Sequence, residues 1–173
     1  MLTCAGEAPL LVYGKKGTLT PKSNRHNQVS EGDKFWDSMT TPITSVYFDA
    51  PDMSMYKKRL ARLEGAQLLR ARWYGNKRPQ GDGIIFLELK THHEKWVVNN
   101  SVKERVAVQE RDMKAFLEPV QWRTAQPALD MIRRASPNLT EEEDELNKAA
   151  NLLFRMHQLV VKYRLRACVR SVY

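Results

Sequence analysis

Charged and apolar side chains alternate at every second position in two segments near the middle of the chain. Residues 67–74 have the sequence QLLRARWY, and residues 84–91 have the sequence IIFLELKT. Alternate side chains of a β-strand point to the same face of a sheet, so each segment predicts a strand with one apolar and one charged face. The charged positions are Arg70, Arg72, Glu88 and Lys90. The turn-rich residues 75–83 (GNKRPQGDG) predict that the two strands form a hairpin.

The remaining elements follow from the same two periodicities. Further strands are predicted at 44–49, at 102–111 and from 161 onward, and helices at 53–63, 113–117, 125–135 and from Thr140 onward. Thr140 is a predicted N-cap, because four acidic residues follow it in the first turn. In the first helix, the residues expected on one apolar side are Met53, Tyr56, Leu60 and Leu63. In the last strand, Arg164, Arg166 and Arg170 are expected on one basic face.

Charge narrows the class of partner. The 173 residues fit one domain and carry 28 Lys and Arg against 20 Asp and Glu, a net charge of +8. Residues 57–114 hold 14 basic and 7 acidic residues, so nearly all of the excess lies in one third of the chain. This balance favours an anionic partner such as phosphate, nucleic acid or an acidic membrane face.

Several kinds of site and targeting segment are not expected from the sequence. Cys4 and Cys168 are the only cysteines, and neither has the spacing of a disulfide framework or a zinc site. A reducing compartment is therefore expected. Residues 1–11 lack a basic region before their short apolar patch, so no signal peptide is predicted. No apolar run approaches the roughly 20 residues of a membrane helix.

Two arrangements account for strands with one cationic face. In the first, that face is a solvated exterior whose surface ion pairs contribute about 0–1 kcal/mol each. In the second, the sheet curls, helices cover its apolar outside, and the cations line a tunnel. Crowded like charges in a closed space need a polyanion and a metal ion to offset their repulsion and desolvation. Oligophosphate suits the second arrangement, because its oxygens match the guanidinium fork of arginine.

Read together, these segments resemble the catalytic domain of the vacuolar transporter chaperone (VTC) polyphosphate polymerases. The motifs that carry the resemblance are residues 45–49 (SVYFD), 70–75 (RARWYG), 86–92 (FLELKTH), 101–103 (SVK), 109–111 (QER) and 169–171 (VRS). Their order and spacing hold over 43–173, which we take as a partial tunnel domain. Residues 1–42 form a poorly matched N-terminal segment, with a polar loop expected at 14–37.

The resemblance implies a fold and an activity. The family is similar to the CYTH-like triphosphate tunnel metalloenzymes, so we expect an α+β fold in which an antiparallel β-tunnel has helices packed outside, incomplete in this chain. The implied activity is transfer of the terminal phosphoryl group of ATP to a growing polyphosphate chain. The implied cofactor is a divalent metal, manganese rather than magnesium. The implied phosphate-binding residues are Arg70, Arg72, Lys90 and Lys103.

Departures from the family pattern leave open whether this chain is an enzyme. The family's metal-binding glutamate lies on later strands that are expected outside this chain, and Glu88 matches a different position. The alternative is a non-catalytic subunit that binds polyphosphate or inositol phosphate. A triphosphate hydrolase ranks below both, since the Glu-x-Glu-x-Lys of such enzymes is not found near the start of the chain.

Partners and location follow from the resemblance alone. The expected partners are ATP, polyphosphate and other subunits of a VTC-like membrane complex. The expected location is the cytosolic face of the vacuolar or acidocalcisomal membrane. Nucleic acid is not an expected partner, because the basic strands lack the interleaved aromatic side chains that single-strand binders use.

Overall fold

A single sheet organises the molecule. The computed structural model describes residues 11–13, 42–93, 102–137 and 143–172. The strands are β1 (Leu11–Tyr13), β2 (Ile43–Asp49), β3 (Gln67–Tyr74), β4 (Ile84–Thr91), β5 (Val102–Gln109) and β6 (Arg166–Val172). Their order across the sheet is β1-β6-β2-β3-β4-β5. Neighbours are antiparallel except β1 and β6, which are parallel.

Helices pack alongside this sheet. They are α1 (Ser54–Leu60), α2 (Met113–Leu117), α3 (Gln126–Ala135) and α4 (Glu143–Tyr163), with a 3-10 turn at Glu110–Asp112 before α2. The hydrophobic core joins the alternate apolar positions of the middle strands, such as Leu69, Leu87 and Val106, to Phe116 of α2 and Leu153 of α4. None of the helices in the described ranges is long and apolar enough to span a membrane.

The predicted fold class is confirmed. The protein is α+β, and β6, β2, β3, β4 and β5 form an antiparallel sheet that does not close within the described part of the chain. Such a sheet with helices packed alongside it is consistent with part of a tunnel-type fold. Both strands of the predicted hairpin have the predicted bounds. The polar loop at 14–37 and the N-cap Thr140 lie outside the described residues, and β1 was not predicted.

The junction between α4 and β6 differs from the prediction. A strand was expected from 161 onward, but the helix continues to Tyr163. Val160 is fully buried against the core, and nearly one more turn of helix after it keeps it there. Arg164 then adopts a left-handed backbone conformation with φ of 49°, which ends the helix before β6 begins at Arg166.

The buried side of α1 also differs from the prediction. Asp49, at the end of β2, accepts hydrogen bonds from the backbone amides of Ala50 (2.7 Å), Met55 (3.0 Å) and Tyr56 (2.8 Å). A carboxylate that binds the first free amides of a helix fixes where that helix starts and how it is turned. As a result Met55 points into the core, while Tyr56 and Leu60 on the predicted apolar side are exposed.

A β-bulge in β6 separates two arginines that the sequence pattern placed together. Val169 pairs with Tyr47 and Ala167 pairs with Phe48, so Cys168 is the extra residue. Beyond the bulge, Arg170 pairs with Val46, on the apolar face of the sheet. Its guanidinium carbon lies 5.8 Å from the ring centroid of Trp73 on that face. The prediction that Arg166 and Arg170 share one basic face is therefore wrong.

A fully buried histidine ties α4 to the segment after α2. Nδ1 of His157 lies 2.9 Å from the carbonyl oxygen of Phe116, and Nε2 lies 2.8 Å from that of Val120. The ring also stacks on Trp122, with centroids 3.8 Å apart. These contacts hold the ring between α2 and the segment that follows it.

Candidate anion-binding site

Five basic side chains gather on the sheet face opposite α3 and α4. In the strand register Arg70 of β3 is next to Glu88 of β4, and Glu88 is next to Arg105 of β5. Lys90 and Lys103 are paired in the adjacent row. We call the set Arg70, Arg72, Lys90, Lys103 and Arg105 the cationic cluster.

Glu88 is the fully buried centre of this cluster. Its Oε2 accepts from Nε of Arg70 at 2.6 Å, and Nη2 of the same arginine lies 2.5 Å away, which makes a two-pronged contact. Its Oε1 accepts from Nε and Nη2 of Arg105 at 2.9 and 2.7 Å. Nζ of Lys103 lies 3.3 Å from Oε1, and Nη1 of Arg72 lies 3.8 Å from it. Four cations thus share one carboxylate.

Opposing effects act on the proton affinity of Glu88. Burial acts to raise its pKa, because a carboxylate loses hydration inside the protein. Hydrogen bonds from Arg105 and Arg70, and the charges of Arg70 and Arg72, outweigh burial and lower the pKa to about 2. Glu88 is therefore a fixed negative charge at neutral pH.

Neutral side chains hold the guanidinium groups in place. Arg70 donates from Nη1 to the hydroxyl of Tyr47 at 3.2 Å, and Arg72 donates from Nε to the hydroxyl of Ser45 at 3.2 Å. The guanidinium carbon of Arg105 lies 4.6 Å from the ring centroid of Phe86. These contacts orient the arginines without neutralising them, so the guanidinium groups keep their charge for binding an anion.

The cluster has more positive charge than its own carboxylate can balance. Five cations and one anion leave a net charge of +4. Lys90 is the member that forms no ion pair within 4.0 Å among the residues that the structure describes. Its pKa is lowered, first by burial and then by the charges of Arg70 and Lys103. A bound anion would relieve that repulsion.

Comparison with known proteins places the chain in a family. The VTC domain matches residues 5–173, which is nearly the whole sequence. The chain belongs to the VTC domain family. Its match begins upstream of residue 43, where the motif resemblance began.

Three curated relatives carry the same VTC name. The chain is similar to vacuolar transporter chaperone complex subunit 4 of Trypanosoma brucei brucei, with 35% identity over 144 residues. The proteins of that name from Schizosaccharomyces pombe and Trypanosoma cruzi are 34% and 30% identical to it. These alignments cover 79%, 76% and 79% of this chain but only 18%, 17% and 18% of the relatives. The chain therefore spans less than a fifth of the length of the VTC subunits it matches.

All four candidate residues from the sequence lie on one face of the VTC sheet. Arg70, Arg72, Lys90 and Lys103 belong to the same cluster, although phosphate binding by them stays a prediction. Sequence reasoning did not select Arg105 as a site residue or Glu88 as the common partner. The alternation along β5 put Arg105 on the face of Lys103, but only the strand register shows that it meets Glu88.

The cationic cluster does not fit a divalent metal. Both oxygens of Glu88 are engaged by cations, and those cations would repel Mn²⁺ or Mg²⁺. Within the described ranges, no group of three or more His, Cys, Asp or Glu side chains could hold a metal ion. What the cluster offers is a set of hydrogen-bond donors with fixed positive charge, which suits phosphate oxygens.

Proposed function

We propose that the cationic cluster binds oligophosphate, and that this chain is the phosphate-binding part of a polyphosphate polymerase. The polymerase transfers the terminal phosphoryl group of ATP to a growing polyphosphate chain. The observation that carries the proposal is the net charge of +4 on a cluster whose buried centre, Glu88, is ionised at neutral pH, in a chain of the VTC domain family. The similarity to subunit 4 of vacuolar transporter chaperone complexes supports it.

The cluster would contribute position and charge rather than a covalent step. Phosphoryl transfer depends mainly on alignment of the phosphates and on stabilisation of the charge spread over their oxygens. Arg70 and Arg105 each keep one edge against Glu88, so their guanidinium groups cannot swing away when the ligand leaves. Lys90 adds an ammonium group that has no ion-pair partner of its own in the described part of the chain.

The manganese ion implied by the resemblance stays a prediction. When bound, such an ion would neutralise developing charge on the phosphates. The cationic cluster would not supply its ligands, so we assign no step of the reaction to the metal. The residues described here would instead hold the phosphate oxygens.

A second function uses the same surface. The chain could act as a non-catalytic subunit that holds polyphosphate or inositol phosphate, because binding an anion requires cations and no free carboxylate. The observation that favours this alternative is that Glu88, the carboxylate of the cluster, is fully engaged. In either function we propose that the chain works with other subunits of a VTC complex, at the cytosolic face of a vacuolar or acidocalcisomal membrane.

Calorimetric titration with tripolyphosphate at several salt concentrations tests the binding proposal. The double variant Arg72→Ala, Lys90→Ala should bind at least about tenfold more weakly, because each lost charge-assisted hydrogen bond contributes more than 1 kcal/mol. Its affinity should also depend less steeply on salt.

The matched control is Lys114→Ala, Arg133→Ala, which removes the same charge from exposed positions on α2 and α3. Equal affinities of the two double variants would refute the site. Polyphosphate formed from ATP and Mn²⁺ by the chain would support transfer, and binding without product would favour the alternative.

A further inference from the structure

An apolar pocket of about 390 Å³ lies between α1 and the strands β2, β3 and β6. Its apolar lining includes Met53, Met55, Tyr56, Leu60, Leu68 and Val169. Binding sites for small ligands are concave, mostly apolar spaces of roughly 300–1,000 Å³ with a few polar groups. This pocket therefore has the size and character of a ligand site rather than of a packing defect.

Part of the pocket lining lies on the same sheet face as the cationic cluster. Tyr47 lines the pocket, and its hydroxyl is the one that accepts a hydrogen bond from Arg70. Leu68 also lines it and is paired with Lys90 across β3 and β4. Arg59 forms another part of its lining, and the charge of Arg59 helps to lower the pKa of Lys90. An extended ligand could therefore occupy both regions at once.

We propose that this pocket takes the nucleoside end of a nucleoside polyphosphate whose phosphates lie on the cationic cluster. The assignment rests on the proposed function and deepens it, because a protein with such a pocket would distinguish a nucleotide from an oligophosphate that has no nucleoside. The rings of Tyr47 and Tyr56 provide flat apolar surface for a base, and Arg59 can stack on it or meet a phosphate. Oligophosphate alone has no group that would fill the space.

The mouth of the pocket leaves apolar surface in water. Tyr56 is 56% exposed and Leu60 is 71% exposed, on a helix whose other apolar residue, Met55, is buried. A base that enters the pocket would cover part of both side chains. Leu63 is 51% exposed on the same segment but does not line the pocket, so it serves as a matched control.

Binding of ATP and of tripolyphosphate, each titrated into the 173-residue chain under the same buffer and metal conditions, tests the proposal. Leu60→Ala should weaken ATP binding by about three- to tenfold, because it removes apolar surface that a bound base would cover. It should leave tripolyphosphate binding unchanged. Leu63→Ala should change neither. Val169→Phe, which fills the pocket, should likewise weaken only ATP binding, with thermal unfolding as the check that the variant folds.

Each outcome has a distinct meaning. Loss of ATP affinity in Leu60→Ala with tripolyphosphate unaffected supports the pocket. If the variants weaken both ligands equally, or if neither is weakened, the pocket assignment is overturned while phosphate binding stands. If the wild-type chain binds neither ligand, the proposed function fails, and the pocket assignment fails with it.

Discussion

Glu88→Gln is the most informative change that the structure offers. The amide has nearly the shape of the carboxylate, but it carries no charge, and one of its two polar atoms donates rather than accepts. Four cations that now share Glu88 would face one another and a misplaced donor inside the protein. Removal of one partner from a buried ion pair costs about 3–5 kcal/mol, so we expect a loss of that size in the free energy of unfolding at pH 7.

The pKa of Glu88 gives an independent magnitude and a pH dependence. A carboxyl group whose pKa falls from 4.5 in the unfolded chain to about 2 in the folded protein stabilises the fold by about 3 kcal/mol at neutral pH. That contribution to stability is complete above about pH 4.5 and is lost as the pH falls toward 2. By pH 3 only about 1.5 kcal/mol should remain. Since glutamine does not titrate, the gap between wild type and variant should narrow over this range.

Urea denaturation at pH 7, 4 and 3 measures this gap. The control is Glu104→Gln, which removes a carboxylate on the same sheet whose partner Arg155 is largely exposed, and it should cost no more than about 1 kcal/mol. Tripolyphosphate should raise the unfolding midpoint of Glu88→Gln by more than that of wild type, because the cluster then has a net charge of +5 instead of +4. If the two glutamine variants lose equal stability, or if the gap is independent of pH, our account of Glu88 is wrong.

Three further changes test other parts of the structure. Asp49→Ala should lower the free energy of unfolding by about 1–2 kcal/mol and speed amide exchange in α1, whereas Asp49→Asn should do less, since one acceptor survives; unaltered exchange would contradict the cap. His157→Leu should cost about 2–4 kcal/mol in urea denaturation, because two buried carbonyl oxygens lose the polar side chain that faces them; a neutral effect would show that those contacts do not matter. Lys90→Met should stabilise the free protein by up to about 1 kcal/mol by removing repulsion, yet weaken tripolyphosphate binding about tenfold. A destabilised Lys90→Met variant would refute the repulsion.

The central strands could be predicted from local patterns, because charged and apolar residues alternate strictly along them and the fold buries the apolar ones. Arg70 and Arg72 face one way and Leu69 faces the other, as period two requires. The pattern of charges did not show that Glu88 is a shared partner. Arg70 and Arg105 lie on the two strands beside it, and they meet it only when those strands are aligned with β4. The register is set by contacts between strands, so it cannot be predicted from the sequence of one strand.

The errors have specific physical causes. The spacing in α1 predicted Tyr56 and Leu60 as its inward side, but the Asp49 cap turns the helix so that Met55 is buried. In β6 the period-two pattern continues through Cys168, whereas the bulge there reverses the side on which Arg170 lies. A cap and a bulge each involve few residues and depend on a neighbouring element, so neither shows in the periodicity.

The position of β6 in the sheet has a consequence for how the chain folds. Tyr47 pairs with Val169, although more than a hundred residues separate them. Contacts between such distant residues form slowly, because the intervening chain must be ordered first. During synthesis, β2 leaves the ribosome before β6 and keeps one edge unpaired until β6 follows. An unpaired strand edge attracts other chains, so we expect this interval to be the time at which the nascent protein is most prone to aggregate.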